Sequence, residues 1–243
     1  MQPPSPLVSV VVPVRNEEAN VLPLVAEIRA ALADIPHEIV YVDDGSDDAT
    51  PARLREAGVV TRRHRTGCGQ SAAIVTGVRT ARGEWIATLD GDGQNDPADL
   101  PALLARALAE AGQGAQPVLI AGHRTTRKDS RMKRLSSRVA NRARMAMLGD
   151  ATPDTGCGLK VIRRDAFLAL PHFDHMHRYL PALVIRAGGR VVSVPVHHRP
   201  RVRGASKYGT LDRLWVGLFD LMGVFWLQRR WKRPQVEAED PPP

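Results

Sequence analysis

The sequence predicts an α/β fold built on a doubly wound, mostly parallel sheet. Apolar runs of strand length recur at Leu7–Pro13, Glu38–Val42 and Trp85–Leu89, with stretches of helical period between them. Near-continuous apolar runs are what strands covered on both faces require, and strict alternation with helices gives parallel neighbours. Each run stops at a polar cluster, at Arg15–Glu18, Asp43–Asp48 and Asp90–Gln94. Sheets of this kind bind ligands at the C-terminal ends of their strands, where all three clusters fall.

In order, Leu7–Pro13 is the first strand, and Val21–Leu32 carries a helical period with acids near its start. Glu38–Val42 is a strand, Ala49–Ala57 a helix and Val59–Arg63 a third strand. Gln70–Ala81 is a helix of small residues, and Trp85–Leu89 a buried strand. Pro97 opens a helix to Ala111, capped by Asp96 or Asn95, and Val118–Ala121 is a further strand. Beyond Gly122 the pattern changes. Arg124–Arg144 is strongly basic and helical in its second half, and a glycine-containing turn at Thr152–Gly158 leads to a short strand near Leu159–Ile162. Tyr179–Ala187 reads as a helix, Arg190–Pro195 as a strand and His197–Gly209 as an Arg-rich loop.

The 243 residues, 43% of them hydrophobic, suffice for one globular domain with a sizeable core. Cys68 and Cys157 lack metal-type spacing and fit a reducing compartment. No secretory signal is read at the N-terminus. A net charge of +8 points to anionic partners: nucleotide, lipid phosphate, membrane surface or nucleic acid. Nucleic acid is the weakest of these, because aromatics are only 5% of residues and no helix-turn-helix or zinc pattern occurs. Leu214–Leu227 is apolar almost all round and is followed by Arg229-Arg-Trp-Lys-Arg233. It is shorter than the ~20 residues that span a bilayer. A helix lying in the membrane interface is expected, with a buried core or dimer helix as the other reading.

The chemistry-bearing stretch is Leu89-Asp-Gly-Asp-Gly-Gln94. Asp90, Asp92 and Gln94 alternate with glycines that let the backbone bend, and their oxygens suit Mg²⁺ or Mn²⁺ shared with a ligand's phosphates. The plainer reading is an Asp/Gly-rich turn ahead of the Pro97 helix. His172, His175 and His177 have metal-like composition without a fourth ligand, and read as lining the acceptor side or the surface. His197-His198 reads as structural. Gly67-x-Gly69 lacks the third glycine of a dinucleotide fingerprint.

Taken together, Val11-Val-Pro-Val-Arg-Asn-Glu-Glu18, Val42-Asp-Asp-Gly-Ser-Asp-Asp-Ala-Thr50, Gly69–Gly77, Leu89–Gln94, Asp154-Thr-Gly-Cys-Gly158 and Arg199–Lys207 resemble the family 2 glycosyltransferases. Within that family the resemblance is to the polyprenyl-phosphate sugar synthases related to dolichol-phosphate mannose synthase. It implies an A-type glycosyltransferase fold, a nucleoside-diphosphate sugar donor and inversion at the anomeric carbon. It also implies donor-nucleotide contacts at Pro13, Arg15, Glu17, Asp43 or Asp44, Gly69, Gln70 and Asp90. The metal would lie at Asp90, Asp92 and Gln94, with Asp92 catalytic, and Arg201, Arg203, Ser206 and Lys207 would close over the pyrophosphate.

A hydroxyl acceptor requires a general base, for which Asp154 is the candidate. A polyprenyl phosphate, dolichyl or undecaprenyl, is already ionised and requires cations instead. Arg124 precedes Arg134, Arg138 and Arg142, which recur every four residues on one helical face. The resemblance implies Arg124 and Arg138 at the acceptor phosphate, with Asp154 then orienting a loop or an arginine. The expected organisation is a catalytic domain over residues 1–209, a membrane-associating helix over 210–233 and a disordered acidic, Pro-rich tail over 234–243. Many relatives end in two membrane helices, whereas one short apolar segment fits a peripheral or monotopic protein on the cytoplasmic face of the inner membrane, or one using a small membrane protein as partner. Transfer to a hydroxyl of a glycan or lipid is the alternative, and nucleic-acid binding a distant one.

Overall fold

A computed structural model describes residues 5–114, 116–124, 144–200, 210–230 and 232. Seven strands among them form one sheet: β1 (Val8–Val14), β2 (His37–Asp43), β3 (Val60–Arg63), β4 (Trp85–Thr88), β5 (Val118–Arg124), β6 (Lys160–Arg163) and β7 (Arg190–Val196). Their order is β3-β2-β1-β4-β6-β5-β7. β1 pairs in parallel with β2 and β4, β2 with β3, and β5 with β7. β6 alone runs antiparallel, between β4 and β5.

The helices are α1 (Glu18–Ala31), α2 (Thr50–Ala57), α3 (Gln70–Thr80), α4 (Leu100–Ala111), α5 (Arg164–Leu168), α6 (Met176–Arg186) and α7 (Thr210–Arg229), with residues 144–148 also helical. Strand side chains alternate between faces, so β1 feeds two cores. Val10 and Val12 join Leu24, Ile28, Leu54 and Leu103 beneath α1, α2 and α4. Val11 joins Ile74, Phe167, Leu180 and Val224 beneath α3, α5, α6 and α7. Each fully buried Leu, Ile or Val contributes about 1.5–3 kcal/mol. The small residues of α3 allow a close approach to the sheet: a Cβ on Gly77 would fall 2.4 Å from a Val11 methyl.

Several boundaries differ from the sequence reading. β5 runs on to Arg124 because Gly122, His123 and Arg124 pair with β7. Pro97–Asp99 is a 3-10 turn ahead of α4, with Asp96 accepting from the Ala98 N–H at 3.0 Å. α6 begins at Met176, three residues before the expected Tyr179, directly after His175 in the left-handed region. The short α5, directly after β6, was not anticipated.

The reversal at β6 positions the site. An antiparallel strand starts at the edge where its parallel neighbours end, so Lys160 stands beside Thr88 on one side and Ala121 on the other. The Asp154–Gly158 turn is thereby delivered to the C-terminal edge of the sheet.

Candidate active site

Asp90 follows β4 at that edge. Its carboxylate accepts from Gln70 Nε2 at 2.8 Å, and its N–H donates to Asn95 Oδ1 at 3.3 Å. Gly158 packs directly on it, since an added Cβ would lie 2.2–2.4 Å from the carboxylate atoms. Thr88 Oγ1 fixes that glycine by donating to its carbonyl at 2.6 Å. The Asp92 carboxylate accepts from the Gln94 N–H at 3.1 Å, tightening the turn. Burial, then the charge of Asp92, pushes Asp90 above the usual carboxylate range, against the pull of Lys160, Gln70 and Arg124. Two crowded carboxylates in an all-oxygen donor set fit a hard divalent cation, which would relieve their repulsion.

A small cavity lies under Asp90, lined in part by Pro13, Gln70, Thr88, Lys160 and His177. Lys160 is buried and donates to the carbonyls of Thr155, at 3.3 Å, and Cys157. Desolvation lowers its pKa, while Cys157, Asp90 and Asp154 favour its charge. His177 Nδ1 is 2.8 Å from Ser71 Oγ, which also accepts the His177 N–H at 3.2 Å. Burial, then Lys160, Arg178 and His175, holds His177 well below the usual histidine range, so it is neutral near pH 7. His177 therefore faces the interior of the site rather than the surface.

The ends of β1 and β2 form the neighbouring part of the edge. Asp43 accepts from the Ser46 N–H at 2.9 Å and pairs with Arg63 at 3.1 Å. Asp44 accepts from His64 Nδ1 at 2.7 Å and from the N–H groups of Cys68 at 2.8 Å and Gly69 at 2.9 Å. Burial would raise the Asp44 pKa, but the N–H of Cys68, with His64 and the N–H of Gly69, outweighs it and holds the carboxyl below its ordinary value. Asn16, at positive φ, links the loops by accepting from the Asp47 N–H at 3.0 Å. The Glu17 N–H donates to Thr50 Oγ1 at 2.9 Å, and the Arg15 guanidinium lies against Gly67. Pro13, Arg15, Glu17, Asp43, Asp44, Gly69, Gln70, Asp90, Asp92 and Gln94 thus lie along the C-terminal edge of β1, β2 and β4.

Arg124 ends β5 on the other side of Asp90. Asp154 receives its Nε at 2.7 Å and its terminal NH2 at 2.8 Å. Hydrogen bonding to Asp154 raises the Arg124 pKa against the cost of burial, so the guanidinium stays charged. Arg134, Arg138 and Arg142 lie outside the described residues, as do Arg201, Arg203, Ser206 and Lys207. The segment leading to the latter group is anchored to the Asp90 loop. The Arg199 N–H donates to Gln94 O at 2.9 Å, and its guanidinium bonds Asp96 at 2.6 and 3.2 Å and Glu27 at 2.6 Å. His197 is held by Asp99 through its N–H at 2.7 Å and Nδ1 at 2.8 Å.

Residues 9–170 match the family model described as Glycosyl transferase family 2. The chain belongs to that family. This glycosyltransferase is 36% identical over 237 residues to a dodecaprenyl-phosphate galacturonate synthase of Rhizobium johnstonii, covering 93% of this chain and 68% of that protein. It is 33% identical over 213 residues to an undecaprenyl-phosphate 4-deoxy-4-formamido-L-arabinose transferase of Aeromonas hydrophila, covering 84% of this chain and 64% of that one. The chain therefore spans about two thirds of the length of these relatives. Glucosyl-3-phosphoglycerate synthase of Mycobacterium tuberculosis, solved with Mn²⁺, uridine diphosphate and phosphoglyceric acid, superposes with a TM-score of 0.67 at 19% identity, covering 94% of this chain and 80% of that one. At that identity the likeness establishes the shared A-type glycosyltransferase fold.

Lys160 and His64 were not among the sequence-derived site residues, whereas His177 reads from sequence as lining the acceptor side or the surface. Lys160 had a legible signal, a lone charge at the head of a short apolar strand. His64 had none, because its role depends on non-local pairing with Asp44.

Proposed function

We propose that this glycosyltransferase moves one sugar from a nucleoside-diphosphate sugar to a polyprenyl phosphate at a membrane surface. The observation that carries the reading is the commitment of Asp154. A hydroxyl acceptor would need a base, and the carboxylate placed to be that base has both oxygens on Arg124. An ionised phosphate needs no base; it needs a fixed cation. Arg124 is one, close enough to Asp90 to shift its pKa. The polyprenyl phosphates in the names of the two relatives support the same acceptor class.

In this reading an acceptor phosphate oxygen attacks the anomeric carbon as the bond to the nucleoside diphosphate breaks. The diphosphate leaves with the electron pair, and the configuration inverts. Asp90 and Asp92 would hold Mg²⁺ or Mn²⁺, which when bound supplies Lewis-acid stabilisation of diphosphate charge. Gln70 orients Asp90, and the Asp43–Asp44 loop with Pro13, Arg15, Glu17 and Gly69 borders the nucleoside. Arg124 orients the acceptor, with Arg134, Arg138 and Arg142 as the further cations the sequence offers for its phosphate. Arg201, Arg203, Ser206 and Lys207 close over the pyrophosphate, tethered through Arg199 to Asp96.

No described helix is long and apolar enough to cross a membrane. α7 exposes Leu218, Phe219, Met222 and Trp226, with the exposed Arg229 and Arg230 at its end. Docking of this face on an anionic leaflet accounts for the exposed apolar residues and the arginines beside them, and a soluble nucleotide donor puts that leaflet on the cytoplasmic side.

Purified protein given undecaprenyl phosphate, Mg²⁺ or Mn²⁺ and a panel of labelled nucleotide sugars should form one acid-labile, lipid-linked product. A product surviving mild acid, with the sugar on a hydroxyl, would overturn the acceptor assignment.

A further inference from the structure

We propose that Asp44, His64 and Cys68 form a binding site for a thiophilic divalent cation of the zinc class, separate from the Asp90–Asp92 pair. Their carboxylate oxygen, imidazole nitrogen and thiol sulfur all lie within 4.8 Å of one another. Among the described residues no other group of three or more His, Cys, Asp and Glu side chains is so arranged.

The fold brings the three together. Asp44 follows β2, and His64 follows β3, its N–H bonded to Asp43 O at 2.9 Å. Cys68 closes the loop before α3, where its N–H and that of Gly69 grip the Asp44 carboxylate. Close packing of the two loops depends on Gly45, at φ +73°, whose added Cβ would fall 2.9 Å from the Gly67 nitrogen.

The surroundings also match what a ligating histidine needs. Such a ring is normally oriented by a partner on its other nitrogen. His64 Nε2 lies 2.9 Å from Thr76 Oγ1 on α3, leaving Nδ1 directed at Asp44 Oδ1, 2.7 Å away. An ion would replace the proton shared by Nδ1 and Oδ1, and the ring proton would move to Nε2, facing Thr76. The Cys68 thiol, now bonded to Thr66 O at 3.3 Å, would turn inward and release its proton on binding.

Zinc bonds of about 2.0–2.3 Å require ligand atoms ~3.3–3.8 Å apart, so His64 Nδ1 and Asp44 Oδ1, now at 2.7 Å, would have to part by roughly half an ångström while the exposed Cys68 side chain rotates inward. The exposed side of Cys68 leaves a fourth position for water. A thiolate and an imidazole select zinc or cobalt over Mg²⁺, which takes oxygen ligands. Resting on the donor-site reading above, Asp44 borders the nucleoside, so an occupied site should also weaken nucleotide binding.

The full chain, saturated with Mg²⁺, is titrated with Co²⁺ and followed by absorption. The expected result is one ion per chain, with thiolate-to-cobalt charge transfer and the intense visible bands of four-coordinate cobalt, displaced by Zn²⁺. Cys68→Ala, at an exposed position, should keep the wild-type melting temperature and lose the charge-transfer band. His64→Gln should weaken binding at least ~10-fold, and Asp92→Ala should leave it intact. Absence of the band in wild type, or its survival in Cys68→Ala, would overturn the site. Unchanged uridine diphosphate binding by zinc-loaded protein would leave the ion site standing and remove Asp44 from the donor pocket.

Discussion

Asp154 holds Arg124 through both carboxylate oxygens, at 2.7 and 2.8 Å, and also accepts the Arg124 backbone N–H at 3.3 Å. The pair joins the end of β5 to the turn before β6, so one ion pair fixes a cation near Asp90, the cation that the proposed function assigns to the acceptor phosphate. Asp154→Asn should leave Arg124 charged but held by at most one amide oxygen, without the ion pair. Transfer should fall by about 100-fold, with a raised acceptor KM and donor affinity within a few fold of wild type. Breaking a buried pair also costs about 3–5 kcal/mol, so the melting temperature should drop. Steady-state kinetics against acceptor, with calorimetry of nucleotide binding, separates the effects; a larger loss on the donor side would contradict the assignment.

Gly158→Ala tests the other side of the site. The new methyl would fall 2.2–2.4 Å from the Asp90 carboxylate, which would have to swing away from Gln70. Because the displaced atoms end a side chain, stability should change by only about 1–3 kcal/mol. Mn²⁺-dependent binding of nucleoside diphosphates, tested as a panel, should weaken at least ~10-fold. Wild-type nucleotide binding in Gly158→Ala would show that the Asp90 position is not critical.

Much of this architecture was legible from local signals. Val-rich runs and the Gly/Asp turns after them gave the strands and the polar edge, because burial on both faces and sharp bends each restrict residue choice. β6 was legible as a strand but not in direction, since four residues carry no record of which neighbours they pair with. Arg124 and Asp154 are legible separately, and their bond is one of several roles the sequence allows Asp154. The two positions are thirty apart in the sequence, too far for any local pattern to record that they pair. His64 stayed hidden for a related reason. An imidazole bridging Asp44 and Thr76 is created by packing and has no pattern at short range, whereas Lys160 stands out as a lone charge heading an apolar strand.

The C-terminal helix divides its residues between protein and surroundings. Val224 is buried, Tyr179 donates to Gly217 O at 3.1 Å, and His175 pairs with Asp220 at 3.0 Å. On the opposite side Phe219 is 74% and Trp226 59% exposed. Replacing both by glutamate should leave the fold and nucleotide binding unchanged while abolishing flotation with vesicles containing anionic lipid. Burying each aromatic in the interface contributes about 1.5–3 kcal/mol, so the loss should exceed 10-fold per residue. Wild-type flotation of the double variant would rule out this face.

The buried pair of Arg144 and Asp150 should give the protein a pH-dependent stability of unusual sign. The ions lie 3.2 Å apart, and Asp150 is fully buried. Burial outweighs the attraction of Arg144 and the Thr152 N–H and pushes the Asp150 carboxyl up to about 6. Between its ordinary value near 3.8 and about 6, the folded state keeps a proton that the unfolded chain gives up. Stability falls as pH rises wherever the folded state binds more protons. The Asp150 contribution is therefore greatest below pH about 4 and declines until pH passes about 6, the reverse of an ordinary ion-paired aspartate. Asp150→Asn cannot titrate, so the stability of wild type relative to this variant should fall across that window. Urea unfolding of both proteins at about pH 4.5 and pH 7 reads the difference directly. If wild type instead gains on the variant as pH rises, the attraction of Arg144 outweighs burial and Asp150 is ionised throughout.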